Sequence, residues 1–287
     1  MSKLFEHIFR VFDQFSKRKM PVYIIGGAVR DLLLQRPVSD VDFLIPWIDM
    51  EEAREIICSA FGSYPRLNRK FRTFNVIRPF CNFDFSMMRE EFYKKPGELP
   101  EVRSGDLRTD LLRRDFTVNT MLMDSHFNIY DFIGGMEDIE RKIIRTVTTV
   151  SFLEDPTRVL RGLRFAEHLN FNLADDFEIL LRDAGEKRVF EGIEGHRIFA
   201  ELKLAGKGIK RIYEVLCRAG IWSQMGLGFL EEKNLVKIIC DEGEKWNGVE
   251  DFLKTLGKSI KEQHREIFAK KMKISKKHIK ILEGGKY

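Results

Sequence analysis

The most constraining feature of this chain is an apolar run that ends in two glycines and is followed by two acids at alternate positions. The first segment reads Ile24-Ile25-Gly26-Gly27-Ala28-Val29-Arg30-Asp31, and the second reads Ser39-Asp40-Val41-Asp42-Phe43-Leu44. This pattern predicts a strand, a glycine turn, a helix and a second strand. Alternate residues of a strand point to the same face, so we expect the carboxylates of Asp40 and Asp42 to lie side by side.

Two neighbouring carboxylates repel each other unless a positive charge lies between them. A divalent metal ion is the natural occupant of such a pair, because carboxylate oxygens are good ligands for it. Gly26 and Gly27 have no side chains, which lets a phosphate approach the backbone. The two segments together therefore indicate metal-assisted chemistry on a nucleotide.

Hydrophobic patterns divide the chain into an α+β part and a helical part. The predicted strands are 22–25, 41–45, 74–77 and 81–85, the predicted helices are 28–34, 50–61 and 155–170, and 94–100 is a polar loop. Strand patterns fade beyond Arg113. The helix at 155–170 has Asp155 as a capping residue and Pro156 at its first position. The remainder reads as helical, and its candidate breaks are Gly185, Gly195, Gly206 and Gly220.

The bulk composition excludes several classes of protein. The 287 residues allow two or three domains, and a formal net charge of +5 is compatible with a nucleic-acid partner. Four scattered cysteines without a CxxC pair argue against a disulfide framework or a zinc site, so we expect a reducing cytoplasm. The first helix is amphipathic rather than a secretory signal, and we expect no membrane-spanning segment.

Three further segments carry candidate functional residues. Asp84 alternates with Phe83 and Phe85 on a strand, which suits either a catalytic cleft or an exposed edge. Arg114 precedes an apolar run, where it is either a solvated arginine or a ligand of a triphosphate, since guanidinium groups match phosphate oxygens. The predicted helix at 155–170 carries Arg158, Arg161 and Arg164 at every third position. Such a series is most often a solvated basic face, but beside a nucleotide it binds phosphates and recognises a base.

These segments resemble the motifs of the class II tRNA nucleotidyltransferases, or CCA-adding enzymes, and of the related bacterial poly(A) polymerases. The matching segments, in order, are Gly26-Gly27-x-x-Arg30-Asp31 with Asp40-x-Asp42, Arg113-Arg114-Asp115-Phe116-Thr117-x-Asn119, Asp131 to Asp138 with Arg145, and Glu154-Asp155-x-x-Arg158-x-x-Arg161-x-x-Arg164-Phe165. The loop from Tyr93 to Val102 is similar to the flexible loop of the family. Farther along, His196-Arg197-Ile198 stands where the family often has Glu-Arg-Ile.

The resemblance implies a polymerase-β-like nucleotidyltransferase head over 1–145, an all-helical neck over 146–200 that recognises the base, and a short helical body over 201–287 that binds RNA. It implies Mg²⁺ as the cofactor, held by Asp40 and Asp42, with Asp84 as a third catalytic acid. The nucleotide-binding residues that it implies are Gly26, Gly27, Arg30, Arg114, Asn119, Glu154, Asp155, Arg158, Arg161 and Arg164.

The implied reaction is the addition of C and A nucleotides to the 3′ end of tRNA from CTP and ATP, with release of pyrophosphate and without a template. Cytosine and adenine both present an amino donor beside a ring nitrogen, so Asp155 can accept from the amino group while Arg158 donates to the ring. Uracil and guanine present a carbonyl there, which leaves buried polar groups unpaired. The alternatives are a poly(A) polymerase, an A-only or CC-only enzyme and, outside the enzymes, a non-catalytic RNA-binding protein.

Overall fold

The computed structural model describes residues 3–284, which form two compact units. The first unit reaches Phe92 and then includes 100–141 and 145–148. The second includes 93–99 and 142–144 and continues from Thr149. Each unit contains residues that are distant in sequence.

The first unit is built on a seven-stranded mixed sheet and a separate two-stranded ribbon. Its strands are β1 (Tyr23–Ile25), β2 (Asp40–Ile45), β3 (Arg66–Asn68), β4 (Thr73–Arg78), β5 (Cys81–Met87), β6 (Arg89–Phe92), β7 (Glu101–Ser104), β8 (Leu122–Met123) and β9 (Ile129–Tyr130). The order in the sheet is β3-β4-β5-β2-β1-β8-β9, and β6 pairs with β7 in the ribbon. Only β2 and β5 pair in parallel within this sheet. The four strands predicted in the first half are confirmed.

The helices of this unit follow the sequence signals closely. They are α1 (Lys3–Ser16), α2 (Gly27–Leu33), α3 (Met50–Phe61), α4 (Leu107–Leu112) and α5 (Gly135–Glu140), with a 3₁₀ turn at Thr117–Asn119. Asp49 caps α3 by accepting hydrogen bonds from the backbone N–H groups of Glu51 and Glu52. The helix ends at Gly62, which has a φ of 69°.

The two faces of the main sheet differ in composition. One face carries the larger apolar core, to which α1 and α3 contribute, and in which the rings of Phe43 and Phe85 stack at 4.9 Å. The other face carries a small apolar cluster that includes Ile25, Leu44 and Leu122. Asp40 and Asp42 of β2 and Asp84 of β5 alternate with residues of the larger core and therefore lie on this second face.

The second unit is almost entirely helical. It contains a short parallel pair, β10 (Ile143–Ile144) with β11 (Asn172–Leu173), and the helices α6 (Ser151–Glu154), α7 (Thr157–Leu169), α8 (Phe177–Glu186), α9 (Gly195–Leu204), α10 (Ile209–Arg218), α11 (Ile221–Gln224), α12 (Lys233–Gly243), α13 (Val249–Ser259), α14 (Glu262–Met272) and α15 (Lys276–Leu282). The rings of Tyr213, Trp222 and Phe252 lie at the centre of its core and are fully buried.

The structure confirms an α+β first part followed by a helical part, and it corrects three details. Strands do not end at Arg113, because β8 joins the main sheet beside β1. The helix predicted at 155–170 begins at Thr157. Gly185 lies within α8 rather than at a break. All four cysteines are free thiols, and across residues 3–284 no helix has the length and apolar character needed to cross a bilayer.

Candidate active site

Asp42 and Asp84 are direct neighbours on the sheet, because the parallel register of β2 and β5 pairs these two residues. Asp40 lies two residues before Asp42 and pairs with Asn82. Burial alternates along the whole of β5, with apolar buried residues on one face and half-buried polar residues on the other. The carboxylates of Asp40, Asp42 and Asp84 therefore lie on one face of the sheet.

Neighbouring polar side chains fix the orientation of the Asp40 and Asp84 carboxylates. Asn82 Nδ2 donates to Asp40 Oδ1 at 2.7 Å, and Ser39 Oγ donates to Asp40 Oδ2 at 2.7 Å. Asn75 Nδ2 donates to Asp84 Oδ1 at 2.8 Å. All three donors are neutral, so they fix the direction of each carboxylate without cancelling its charge.

The turn at Gly26 brings Asp42 close to a cation. Gly26 has a φ of 79°, a left-handed conformation that favours glycine. A β-carbon placed on it would lie 3.5 Å from Asp42 Oδ2, 3.7 Å from Arg114 Nη1 and 3.8 Å from the carbonyl oxygen of Asn119. The missing side chain of Gly26 therefore leaves its backbone open beside a carboxylate oxygen and a guanidinium nitrogen.

Arg30 is buried, with 6% of its surface exposed. Its Nη1 donates to Asn119 Oδ1 at 2.7 Å, and its Nε and Nη2 donate to the Asp31 carboxylate at 2.9 and 3.0 Å. Asn119 Nδ2 donates in turn to Asp115 Oδ1 at 3.1 Å. Two predicted nucleotide-binding residues, Arg30 and Asn119, thus bind each other and tie α2 to the 3₁₀ turn.

The segment around α5 supports the same 3₁₀ turn. A β-carbon on Gly135 would lie 2.4 Å from the carbonyl oxygen of Thr117, so the two backbones approach more closely than any other residue would allow. Thr117 Oγ1 donates to Asp138 Oδ2 at 2.6 Å, and Arg145 Nε donates to the same oxygen at 3.1 Å. The motif from Asp131 to Arg145 therefore supports the backbone of the motif from Arg113 to Asn119.

Asp110 on α4 holds two arginines that follow the end of that helix. The carboxylate is fully buried, accepts from Arg113 Nη2 at 2.6 Å and accepts from Arg114 Nη2 at 3.0 Å. Burial opposes its ionisation, but the charges of Arg114 and Arg113 outweigh burial and hold the pKa of Asp110 below its ordinary value. Arg114 is consequently a fixed cation rather than a solvated side chain.

In the second unit, Asp155 is bound by residues of the same unit. Arg197 Nη2 donates to both of its carboxylate oxygens, at 2.9 and 2.8 Å, and Thr157 Oγ1 donates to Oδ1 at 2.6 Å. Arg197 Nη1 also donates to the carbonyl oxygen of Gly97, at 2.8 Å, in the predicted flexible loop. Arg197 belongs to the segment that departs from the family pattern, and it connects that loop to Asp155.

Arg158 is buried, with 5% of its surface exposed, so it does not belong to a solvated basic face. Its Nη1 donates to Ser151 Oγ at 2.9 Å and lies 3.5 Å from Glu154 Oε2. Its Nη2 lies 3.5 Å from the hydroxyl of Tyr93. Glu154 thus contacts Arg158, as we expect for a residue that orients it.

Arg161 and Arg164 share one carboxylate. Arg164 Nε donates to Glu201 Oε2 at 2.9 Å, and Arg161 Nη1 lies 3.6 Å from Glu201 Oε1. The guanidinium of Arg164 also lies over the ring of Phe165, 4.5 Å from its centroid. Glu201 on α9 therefore fixes two arginines of α7.

Sequence reasoning missed Asp110, Arg197 and Glu201 as partners of the predicted residues. Asp110 had a usable signal, because it lies four residues before Arg114, a spacing at which helical side chains meet. Arg197 and Glu201 had none, because their partners Asp155 and Arg164 are distant in sequence and only the tertiary fold brings them together.

Comparison with known proteins gives a consistent result. Residues 22–145 match the model of the poly A polymerase head domain. The chain is 38% identical over 187 residues to the A-adding tRNA nucleotidyltransferase of Aquifex aeolicus, which covers 64% of this chain and 23% of the relative. It is 32% identical over 222 residues to the CCA-adding enzyme of Staphylococcus epidermidis, covering 75% of this chain and 53% of the relative. The chain thus spans about a quarter to a half of these curated relatives.

Solved structures extend the likeness to the helical unit. The CCA-adding enzyme of Bacillus stearothermophilus in complex with CTP is 26% identical, with a TM-score of 0.76, and the match covers 99% of this chain and 69% of that one. A tRNA nucleotidyltransferase complexed with a primer tRNA and an incoming ATP analog is 26% identical, with a TM-score of 0.75, covering 96% and 82%. The predicted resemblance and fold class are confirmed: residues 22–145 match the poly A polymerase head domain, and nearly the whole chain is similar in fold to the CCA-adding enzyme of Bacillus stearothermophilus.

Proposed function

We propose that this chain adds C and A nucleotides to the 3′ end of tRNA, using CTP and ATP and releasing pyrophosphate, without a nucleic-acid template. The observation that carries the proposal is the neighbouring pair Asp42 and Asp84 beside the open turn at Gly26 and the Nη1 of Arg114. A carboxylate pair next to an open glycine turn and a fixed cation suits transfer of a nucleotidyl group.

The donor set fits a divalent metal ion, and Mg²⁺ in particular. Mg²⁺ is usually bound by one or two carboxylates together with substrate phosphates rather than by a complete protein cage. Asp40 and Asp42 offer that number of carboxylates, and residues 3–284 contain no group of three or more His, Cys, Asp or Glu side chains arranged as metal ligands. When bound, the metal supplies positive charge that favours ionisation of the RNA 3′-hydroxyl and stabilises the departing pyrophosphate.

The protein's own part in the reaction is positioning and charge complementarity. The RNA 3′-hydroxyl oxygen forms a bond to the α-phosphorus, and the bond from that phosphorus to the pyrophosphate oxygen breaks. We assign Gly26 and Gly27 to the backbone approach of the triphosphate and Arg114 to the neutralisation of its charge. Arg30 acts through Asn119, whose position it fixes. Asp84 adds a third carboxylate beside Asp42.

Asp155 and Arg158 serve as the base-reading pair in this proposal. Arg197 and Thr157 hold the Asp155 carboxylate, and Ser151 with Glu154 holds Arg158. Side chains fixed in this way discriminate between bases by their hydrogen-bond pattern. The Asp155 carboxylate can accept from the amino group of cytosine or adenine but not from the carbonyl of uracil or guanine. Arg161 and Arg164 are nucleotide-binding residues by the same proposal, held by Glu201.

Addition of A alone is a second candidate, and the names of two relatives favour it. The chain is 38% identical to the A-adding enzyme of Aquifex aeolicus and 33% identical to that of Geobacter sulfurreducens. A poly(A) polymerase remains the third alternative, because the head domain is common to both groups.

One experiment separates these products. A tRNA that lacks CCA and a tRNA that ends in CC are each incubated with Mg²⁺ and labelled CTP, labelled ATP or both. A CCA-adding enzyme completes both RNAs, an A-adding enzyme extends only the second by one A, and a poly(A) polymerase makes long ATP products from either. Failure of the wild-type chain to incorporate any nucleotide, while Asp42→Asn behaves identically, would reject the proposed function.

A further inference from the structure

Among residues 3–284, Arg114 forms hydrogen bonds through one edge of its guanidinium. Nε and Nη2 donate to Asp110 Oδ2 at 3.2 and 3.0 Å, whereas Nη1 is the nitrogen that lies 3.7 Å from a β-carbon placed on Gly26. Within residues 3–284, Nη1 has no hydrogen-bond partner. Asp110 therefore holds one edge of the guanidinium, and Nη1 lies near the glycine turn.

The contact between Asp110 and Arg114 lies in a buried part of the first unit. Asp110 is fully buried, and its Oδ1 accepts from Arg113 Nε at 2.9 Å and from the backbone N–H of Arg89 at 3.3 Å. Arg113 Nη1 donates to Glu91 Oε1 at 3.0 Å, and Arg89 Nη2 donates to the same oxygen at 2.8 Å. Asp110 therefore cannot rotate without breaking contacts to β6 as well as to Arg114.

The charge balance also favours this arrangement. Asp110 and Glu91 contribute two negative charges, and the arginines at 89, 113 and 114 contribute three positive charges, all on side chains that are 15% exposed or less. Of these three arginines, Arg114 is the one whose Nη1 lies beside the Gly26 turn. A guanidinium that is held in a buried network and reaches an open glycine turn suits an anionic ligand.

We propose that Asp110 is a positioning residue, which aims Nη1 of Arg114 at the triphosphate of the incoming nucleotide. The proposal rests on the proposed function, since it assigns the anion at Gly26 to CTP or ATP. Asp110 itself is too deeply buried to touch the nucleotide and acts only through Arg114.

The test is a double-mutant cycle on the KM for ATP, with tRNA saturating. Asp110→Asn keeps the shape of the side chain and removes its charge, so Arg114 is no longer held, and we expect KM to rise about tenfold because a charge-assisted hydrogen bond is lost. In an Arg114→Ala background, Asp110→Asn should change KM by less than about twofold, because the residue through which it acts is absent.

Glu91→Gln is the matched control. It removes a carboxylate from the same buried network without touching Arg114, so we expect a comparable loss of thermal stability and a KM close to that of the wild type. An equal rise of KM in Glu91→Gln and Asp110→Asn would overturn the positioning role, as would a full effect of Asp110→Asn in the Arg114→Ala background.

Asp110→Glu is a second variant, which keeps the proposal testable if Asp110→Asn does not fold. It keeps the negative charge but moves the carboxylate by one methylene, so a folded Asp110→Glu protein should have a raised KM; a wild-type KM would overturn the proposal. If the wild-type chain adds no nucleotide in the first place, the proposed function fails, and that outcome is distinct from a wild-type enzyme that is insensitive to Asp110.

Discussion

At the residue scale, the role of each aspartate follows from its neighbours. Asp42 has Asp84 beside it in the register and Arg114 across the Gly26 turn, and it is half-buried. A second carboxylate nearby makes its negative charge costly, and a cation relieves that cost. Asp110, by contrast, is fully buried and is bound by two arginines. We therefore assign the metal to Asp42 and a positioning role to Asp110.

This assignment predicts that Asp42→Asn abolishes nucleotide addition without unfolding the protein. We expect the turnover rate to fall on the order of a thousandfold, because a metal ligand is removed. The melting temperature should stay close to that of the wild type, since asparagine keeps the size and shape of the aspartate side chain. Both are measurable by incorporation of labelled ATP and by thermal unfolding.

Asp124→Asn is the control for this substitution. Asp124 lies in a turn, where its carboxylate accepts hydrogen bonds from the backbone N–H groups of His126 and Asn128. Its replacement should leave turnover near the wild-type value. Turnover by Asp42→Asn within a few fold of the wild type would refute the metal assignment.

Residue types and local spacing were enough to predict part of this site. Alternation along β2 predicted that Asp40 and Asp42 share a face, and glycine chemistry predicted the turn at Gly26. The pairing of Asp42 with Asp84 depends on strand order, which no local pattern encodes. The same limit explains why Arg197 was not predicted as the partner of Asp155, since the two lie on different helical segments of the second unit.

At the element scale, glycine decides how closely two helices approach. A β-carbon on Gly257 of α13 would lie 1.9 Å from the carbonyl oxygen of Leu282 on α15, so the helices pack in backbone contact there. Gly185 lies inside α8, and a β-carbon placed on it would lie 3.8 Å from its nearest neighbour, the carbonyl oxygen of Ala219. The two glycines are both helical, but only one of them is required by packing.

This difference predicts opposite effects of the same substitution. Gly257→Ala should lower the free energy of unfolding by about 2 kcal/mol or more, because α15 must move away from α13. Gly185→Ala should raise it by about 0.5–1 kcal/mol, because alanine favours the helix more than glycine does. Urea unfolding followed by tryptophan fluorescence in a Trp47→Phe background, which leaves Trp222 and Trp246, reports on this unit.

The two variants control each other, since both exchange glycine for alanine inside a helix of the second unit. Destabilisation of equal size in both would show that the close approach at Gly257 has no special cost. The sequence alone placed a break at Gly185 because it treats every glycine as a helix breaker. Packing distances, which the sequence does not contain, separate the glycine that a helix tolerates from the glycine that two helices need.

At the scale of the whole molecule, many cationic side chains are paired with acids. The chain has 49 lysines and arginines and 44 acids, and many of its cations form ion pairs, including Lys273 with Glu194 and Lys277 with Glu250. Lys270, Lys271 and Lys276 are exposed near one end of the second unit, and the structure over residues 3–284 gives them no acidic partner. Their clustering within seven positions concentrates positive charge, which suits contact with an RNA backbone.

We therefore expect the affinity for tRNA to fall as the salt concentration rises, and we expect this dependence to be modest. Contact with a few phosphates would give a slope of log K against log salt of about −2 to −4. Replacement of Lys270, Lys271 and Lys276 by glutamine should reduce the magnitude of that slope by about 1 to 3, because each lost phosphate contact removes about one released counterion. Filter binding of a tRNA lacking CCA, from low to moderate salt, measures both slopes.

A second triple variant changes the net charge by the same amount at dispersed positions. Lys19, Lys142 and Lys233 are also exposed, and across the described part of the chain they too lack acidic partners. Because they are not clustered, glutamine at these positions should leave the slope nearly unchanged. Equal reductions in both triples would indicate a general effect of net charge, and an unchanged slope in the first would assign the lysine cluster to solvated surface.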